Sequence, residues 1–214
     1  MTTTMAPSTL TLSEKIEARR AHSTARIYMA SIEGVPISFA QYEWPDYVTA
    51  FTENRGQFDG MSYSATTNVG SDSPIADISK KRRDQLTENT KDVEVSAEKA
   101  VREYVDSKDR NSLHDKIEQK RKEHEKKLID QNNKYWGDVE SAIKDLPEAE
   151  QDKAIDLADQ VSKFAAWLWG KISAAIVELA KRAWEWIKQA WEDIKQWFVD
   201  RYNDVTKFFN SLFG

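Results

Sequence analysis

The stretch KISAAIVELAKRAWEWIKQAWEDIKQWFVDRYNDVTKFFNSLF, from Lys171 to Phe213, decides the fold. It contains no Gly or Pro, so nothing in it interrupts a helix. Together with the ten residues before it, its apolar positions repeat at steps of four, three and four residues, from Val161 to Leu212. An 11-residue repeat over three turns is about 3.67 residues per turn, so the apolar stripe runs almost straight along one helix.

The stripe is wide and unusually aromatic. Six of the eight Trp residues of the chain lie between Trp167 and Trp197. At about 100° per residue, Trp184, Trp191 and Trp197 join the stripe, and the apolar arc covers about half of the helix circumference. From Lys171 onward the chain also carries seven basic and six acidic residues, most of them on the other half. Burial of the arc is worth upwards of ~15 kcal/mol before entropy is counted, so something must cover it.

Three covers can be envisaged: the rest of the chain, a second copy, or a lipid surface. A wide face of Trp, Phe and Ile opposite a charged face is typical of helices that lie in the membrane interface. At about 65 Å, the helix from Lys171 is too long for one upright span of a ~30 Å hydrocarbon core. We therefore predict a membrane-contacting surface made of Leu168, Ile172, Ile176, Leu179, Trp184, Ile187, Trp191, Ile194, Trp197, Phe198, Val205, Phe209 and Leu212.

The 11-residue period and the balanced polar face are similar to those of exchangeable lipid-surface proteins such as apolipoproteins, perilipins and synucleins. The resemblance covers about residues 161–212, is one of pattern with no shared motif, and implies peripheral lipid binding. Helical pore-forming toxins suggest a second plan, in which a soluble bundle of long helices hides an apolar segment and releases it at a membrane. That plan implies a defined oligomer and leakage of vesicle contents, which a lipid coat does not need.

The main alternative is a helical scaffold or interaction protein whose Trp-rich face is buried in a bundle or oligomer. The chain offers two covers of its own, the aromatic segment 27–63 and an apolar stripe over 75–105 that includes Leu86 and Val93. The segment from Asp106 to Asp130 offers little, since 15 of its 25 residues are charged. A coiled-coil dimer fits less well, because Trp is a poor knob for a narrow heptad seam.

Helix breakers divide the chain into three predicted regions. Most of the Gly and Pro residues fall in residues 1–74, which are expected to be irregular or mixed and to end in a linker over 61–73. Residues 75–146 are expected to form charged long helices, and 147–214 the Trp-rich amphipathic helix. The expected fold is all-α, with two or three long helices in an elongated bundle or hairpin and a mostly irregular N-terminal third.

The N-terminal third carries two weak local signals. Thr11 or Ser13 is expected to cap a short helix, within a stretch that otherwise resembles a flexible arm. Ile27–Ser31 and Val35–Phe39 flank Glu33-Gly34 and are expected to pair as a short hairpin.

Stronger signals set the helix boundaries in the rest of the chain. Ser73-Pro74 predicts a helix start, with Ser as the cap and Pro in the first turn. Ser112 is expected to cap a second long helix that runs to about Leu146. Pro147 then begins the last helix, which is expected to continue to Phe213 with a bend at Gly170.

Composition excludes several classes of protein. The chain of 214 residues has no Cys, which removes disulfide frameworks, thiolate metal sites and cysteine nucleophiles. Its net charge of −5 gives no bulk attraction for nucleic acid, and acidic neighbours dilute the basic runs at 80–83 and 120–122. His22, His114 and His124 lack the spacing of a helical metal pair. No phosphate loop, dinucleotide fingerprint or nucleophile elbow occurs.

We therefore expect a protein that is not an enzyme, that needs no cofactor or metal, and that binds neither nucleic acid nor a small-molecule substrate. The expected partners are a lipid membrane or lipid surface, and further copies of the chain in a homo-oligomer. The first thirty residues lack a secretory h-region and no apolar run reaches about 18 residues. These features favour a cytoplasmic protein with peripheral membrane association.

Overall fold

Every element that the structure describes is a helix. The computed structural model describes residues 10–32, 73–107, 110–182 and 187–213, without the side chains of 32, 105, 110, 111 and 178–194. The five helices are α1 (Leu12–Ile32), α2 (Ala76–Ser107), α3 (Arg110–Ile143), α4 (Glu148–Arg182) and α5 (Ile187–Phe213). The predicted all-α class is confirmed, with five helices where two or three long ones were expected.

Helix α1 begins at the predicted cap but is much longer than predicted. The Thr11 amide donates to Glu14 Oε2 at 2.7 Å and the Glu14 amide donates to Thr11 Oγ1 at 3.3 Å, which is a capping box. The helix then runs through Ile27–Ser31, so the strand predicted there is wrong. Ile16 and Ile27 are fully buried, so this part of the chain is not a flexible arm either. Val35–Phe39 and residues 61–72 lie outside the described residues.

The helix boundaries beyond residue 73 lie close to their predicted positions. Ser73 precedes α2, and its carbonyl accepts a hydrogen bond from the Ala76 amide at 2.9 Å. Helix α3 begins two residues before Ser112. A short turn at Pro147 separates α3 from α4, and the Gln151 side chain donates to the Leu146 carbonyl there at 2.9 Å.

The predicted single helix from Pro147 to Phe213 is wrong, because α5 folds back along α4. The ring centroids of Phe164 and Phe208 lie 4.0 Å apart, whereas 44 residues of continuous helix would separate them by about 66 Å. The two helices are therefore antiparallel, on either side of residues 183–186, which lie outside the description. Helices α2 and α3 have 32 and 34 residues and cover only about 50 Å of such a face. Folding back brings both halves of the face onto one bundle.

Helix α4 occupies the centre of the bundle and packs against all four other helices. Between Ala154 and Ser173 only Asp156 and Lys171 are exposed. Helix α1 lies along α3 and α4, and α2 lies along α3 and α5. The hydrophobic core thus surrounds α4 and draws side chains from every helix.

The antiparallel packing of α4 and α5 predicts a short distance between two exposed positions. Because the chain has no native Cys, Lys171→Cys with Asn203→Cys gives a clean pair of spin-label sites. In the hairpin the labels lie within about 30 Å, since packed helix axes are 8–10 Å apart. Double electron–electron resonance on the free protein checks this. A distance peak near 48 Å, which a continuous helix requires at about 1.5 Å per residue, would contradict the fold.

Candidate functional site

The structure divides the predicted membrane-contacting surface between two packed helices. Seven of its residues are buried, with at most 4% of their surface exposed: Leu168, Ile172 and Ile176 on α4, and Phe198, Val205, Phe209 and Leu212 on α5. Trp197 is partly buried against the same core. The side chains of Leu179, Trp184, Ile187, Trp191 and Ile194 lie outside the description. Where it is described, this surface is covered by the protein's own helices.

The part of this surface that lies on α5 is covered by α2 and α4. Helix α5 packs against α2, whose apolar stripe the sequence offered as one candidate. Of the other candidate cover, segment 27–63, the residues up to Ile32 belong to α1, and the rest lie outside the described residues. Whether the face also meets a membrane stays a prediction.

Four phenylalanines join α5 to α4. Phe164 stacks on Phe208 with an interplanar angle of 3°, and it meets Phe209 edge-on at 6.3 Å. Phe209 also stacks on Phe213, with centroids 6.2 Å apart. Aromatic pairs in these geometries gain about 0.5–1.5 kcal/mol beyond the burial of their area. This cluster fixes the register of the hairpin.

Arg201 is the one polar residue in the repeat of apolar positions from Val161 to Leu212. Its guanidinium lies over two Trp rings, one on α4 and one on α5. Its guanidinium carbon lies 4.8 Å from the ring centroid of Trp197 and 5.9 Å from that of Trp167. Asp204 balances its charge at 3.1 Å. A guanidinium over a Trp ring is attracted by the negative face of the ring. Sequence reasoning missed this role, since Arg201 is an exception in the repeat and Trp167 lies off the predicted face.

Among the described side chains, one hydrogen bond ties α5 to α2. Tyr202 Oη donates to a carboxylate oxygen of Glu94, and the contact is partly buried. Burial raises the pKa of the Tyr202 phenol, and the Glu94 carboxylate raises it further, so Tyr202 keeps its proton at physiological pH. The pair lies 108 residues apart in the chain, and local spacing therefore gives no signal for it.

Ion pairs fasten α1 to α4. Arg26 Nη1 lies 2.6 Å from Asp159 Oδ1, and both side chains are buried. Arg19 and Lys163 also reach Asp159, at 3.2 and 2.8 Å. Burial by itself would raise the pKa of Asp159, but Arg26 and Lys163 outweigh it and hold this pKa below its ordinary value. Asp159 is therefore a charged group shared by three cations.

Buried hydrogen bonds hold α1 at two further points. Ser23 Oγ accepts from Trp136 Nε1 of α3 at 2.9 Å. One end of α1 is fixed at Ser31, whose Oγ accepts from Trp169 Nε1 of α4 at 2.6 Å. Arg121 of α3 donates to the Ser31 carbonyl at 3.2 Å. These bonds, together with the ion pairs, specify one position for α1 on the bundle.

Arg82 places a charge between α2 and α3 without a carboxylate partner among the described residues. It is 1% exposed and donates to Gln131 Oε1 at 3.2 Å. Its Nε and Nη2 are buried and meet no acceptor in the part of the chain that is described. Burial lowers the pKa of Arg82 to about 10, so the group stays charged at neutral pH. Burying a cation this way costs free energy that opening of the bundle would recover.

Four of the seven basic residues in the two basic runs are buried or paired with a carboxylate. Arg82 and Arg121 point into the bundle, Arg83 pairs with Asp84 at 3.1 Å, and Lys120 pairs with Glu123 at 2.5 Å. Within the described ranges, no three His, Asp or Glu side chains come together to hold a metal ion. None of the described helices has a stretch long and apolar enough to cross a membrane.

Comparison with known protein families, with curated proteins and with solved structures found no match for this chain.

The shared carboxylate predicts a large loss of stability on substitution. Asp159→Asn removes the carboxylate charge that lies 2.6 Å from the buried Arg26 guanidinium, and we expect a loss of about 3–5 kcal/mol in the free energy of unfolding. Urea denaturation at neutral pH checks this. Asp156→Asn is the matched control, because its exposed pair with Arg19 at 3.2 Å is worth less than about 1 kcal/mol.

The Arg26–Asp159 ion pair also makes the stability of the fold depend on pH in acid. Because the folded-state pKa of Asp159 is lowered, its contribution is fully present above the ordinary carboxyl pKa of about 4 and is lost as the pH falls further. Equal stabilities of the Asp159→Asn and Asp156→Asn proteins at neutral pH would contradict the role assigned to Asp159.

Proposed function

We propose that the protein is a non-enzymatic, membrane-active protein that stores its lipid-binding helix, α5, in a covered position on the bundle. At a membrane, α5 leaves the bundle and lays its Trp-rich face on the lipid. The observation that carries this proposal is a contrast in how the helices are held. Helix α1 is fastened by buried ion pairs and hydrogen bonds, whereas the described contacts of α5 are almost entirely apolar and aromatic.

Lipid can replace the contacts of α5 at little cost. Hydrocarbon tails are as apolar as Leu or Ile side chains, so Phe198, Phe209 and Leu212 stay out of water when they move from core to bilayer. The Tyr202–Glu94 hydrogen bond is given up, but an interfacial Tyr meets water and headgroups instead. Detaching α1 in the same way would leave buried charges unpaired at several kcal/mol each.

Helix α5 has the dimensions and charge of an interfacial helix. Its 27 residues span about 40 Å, and its exposed face carries Lys195, Asp200, Asn203 and Lys207. The helix holds four basic and four acidic residues in all. Its binding is therefore driven by apolar burial, with little help from the surface potential of anionic lipid.

Release of α5 uncovers part of the remaining bundle. Phe164 loses its stacked partner Phe208, and the α2 stripe loses its cover. These surfaces then need lipid or a second copy of the chain, which gives the proposal a place for a homo-oligomer. A pore-forming protein requires that oligomer and releases vesicle contents, whereas a lipid coat does neither.

A second candidate function, a helical scaffold or interaction protein, is favoured by the burial of the seven described face residues. In that case the face is permanent core, and partners bind the charged outer surfaces of the bundle. The two candidates differ in what lipid does to the protein, because permanent core has no reason to leave the bundle.

Vesicle flotation with Trp fluorescence tests the proposal, with a variant that leaves α5 unchanged. Glu94→Ala removes the acceptor for Tyr202 and weakens the hold on α5 by about 1.5 kcal/mol. The released population should rise about tenfold, with more protein floating and a blue-shifted Trp emission. Glu98→Ala is the matched control, since it removes the same charge one turn away and breaks only a contact with Arg102 of the same helix.

Each outcome of the flotation assay has a definite meaning. Equal flotation of the Glu94→Ala and Glu98→Ala proteins would contradict the assigned role of the Tyr202 bond. If neither protein nor the unmodified chain floats at any lipid composition, the membrane proposal is wrong and the scaffold function gains. Dye release from the same vesicles separates a pore from a coat, because binding without release rejects the pore.

A further inference from the structure

His124 lies where α2, α3 and α4 meet, between two small cavities. The larger cavity, of about 20 Å³, is lined by Asn89, Thr90 and otherwise apolar residues of α2, α3 and α4, among them Val93, Leu168 and Trp169. The smaller cavity, of about 10 Å³, is also lined by His124, beside Ile117 and Ile176. Each has room for about one water molecule. The imidazole is therefore half-buried, with mainly apolar neighbours at the larger cavity and both apolar and charged neighbours at the smaller one.

Cations surround His124 on its own helix. Lys120 and Arg121 lie one turn before it and Lys127 lies one turn after it. Arg121 is buried and lines the smaller cavity together with Lys116 and Lys120. A proton on the imidazole adds a further positive charge to this group.

The nearby carboxylates already hold other cations. Asp92, which faces the ring from α2, pairs with Lys127 at 2.8 Å. Glu123 pairs with Lys120 at 2.5 Å. The other carboxylates of this stretch, Glu118 and Glu125, hold Arg121 at 3.0 and 3.8 Å. Among the side chains that the structure describes, helix α4 brings no charged group to either cavity, so an imidazolium has to compete for the carboxylates named above.

We propose that His124 is a proton-sensitive element that keeps the junction of α2, α3 and α4 closed at neutral pH and loosens it in mildly acidic water. Neutral imidazole fits between the cavities as a half-buried ring. The imidazolium is disfavoured there because burial removes part of its hydration, and the Asp92 carboxylate is already paired with Lys127.

The direction of the effect follows from linkage. Burial is the main cause that lowers the pKa of His124; Asp92 and Glu123 oppose this shift, and Lys127 and Lys120 support it. A folded-state pKa below the ordinary value of about 6.5 means that the unfolded chain binds the proton better. Stability is therefore full above about pH 7.5 and declines as the pH falls through 6.5. The carboxylates with lowered pKa titrate below this window.

The acid response of His124 does not depend on the proposed function. Only its role in releasing α5 rests on that function. Helix α5 packs on α2 and α4, two of the three helices that meet at His124, so loosening this junction in acid would help to release α5. The acid response of the free bundle needs no lipid and is tested without it.

The test compares urea unfolding midpoints at about pH 7.5 and about pH 5.5. The unmodified protein should lose stability at the lower pH, and His124→Gln should remove at least half of that loss. His114→Gln is the matched control, because His114 is an exposed residue of the same helix and should leave the loss unchanged. His22→Gln measures how much of the acid loss of stability comes from His22 of α1. Partial burial lowers the pKa of His22, and Arg26 and Arg19 lower it further.

A titration of the histidine proton resonances in the unmodified protein gives a reading that does not depend on any variant folding well. The His124 resonance should titrate below about pH 6.5. A midpoint at or above that value, or a full acid loss in the His124→Gln protein, would overturn the proposal. Acid-dependent stability combined with flotation that does not change with pH would remove the trigger role alone and leave the switch in place.

Discussion

The rest of the structure depends on the burial of α4 on nearly every side. A helix in that position must be apolar or small around most of its circumference, and α4 meets this requirement over about five turns. Its small residues let a neighbour approach closely, since a Cβ built on Gly170 would lie 3.3 Å from that of Ala30 in α1. The other four helices are placed by the side of α4 that each one covers.

Two kinds of interface surround this central helix. The α1 interface combines apolar burial with the Arg26–Asp159 pair and buried hydrogen bonds, which fix one register and penalise any separation. The α5 interface relies on stacked rings and aliphatic side chains, which lose little when another apolar medium takes the place of the core. The buried charge of Arg82 adds a local cost to the closed state. We therefore expect stability to be uneven across the bundle, and under the proposed function α5 belongs to its exchangeable part.

The sequence pattern predicted which residues of α4 and α5 are apolar and share a face, because periodicity reports what must leave water. It could not say what covers the face, since a protein core and a lipid surface select the same side chains. It also missed the fold-back, because the Ala-Trp-Glu-Trp at 183–186 has no Gly or Pro and the apolar repeat continues across it. The lengths of the other helices indicate the fold-back, because none of them is long enough to cover a 67-residue helix.

Other misses have different physical causes. The strand predicted at Ile27–Ser31 rested on a short apolar run, but Ile16, Ser23, Ile27 and Ala30 follow helical spacing and all face the core. The pairs Arg26–Asp159 and Glu94–Tyr202 join residues more than 100 positions apart. Such contacts depend on the tertiary fold, so local propensity and spacing carry no information about them.

Under the proposed function, α5 must leave α2 before the protein binds lipid, and a reversible covalent lock between the two helices tests this requirement. Val95 and Val199 are both exposed and lie within about one turn of the Glu94–Tyr202 contact. Cysteines at these positions, in a chain with no others, can be joined by a thiol-cleavable bismaleimide. We predict that the joined protein stays at the bottom of a vesicle flotation gradient and that cleavage of the linker restores flotation. Equal flotation of the joined and cleaved proteins would contradict the account.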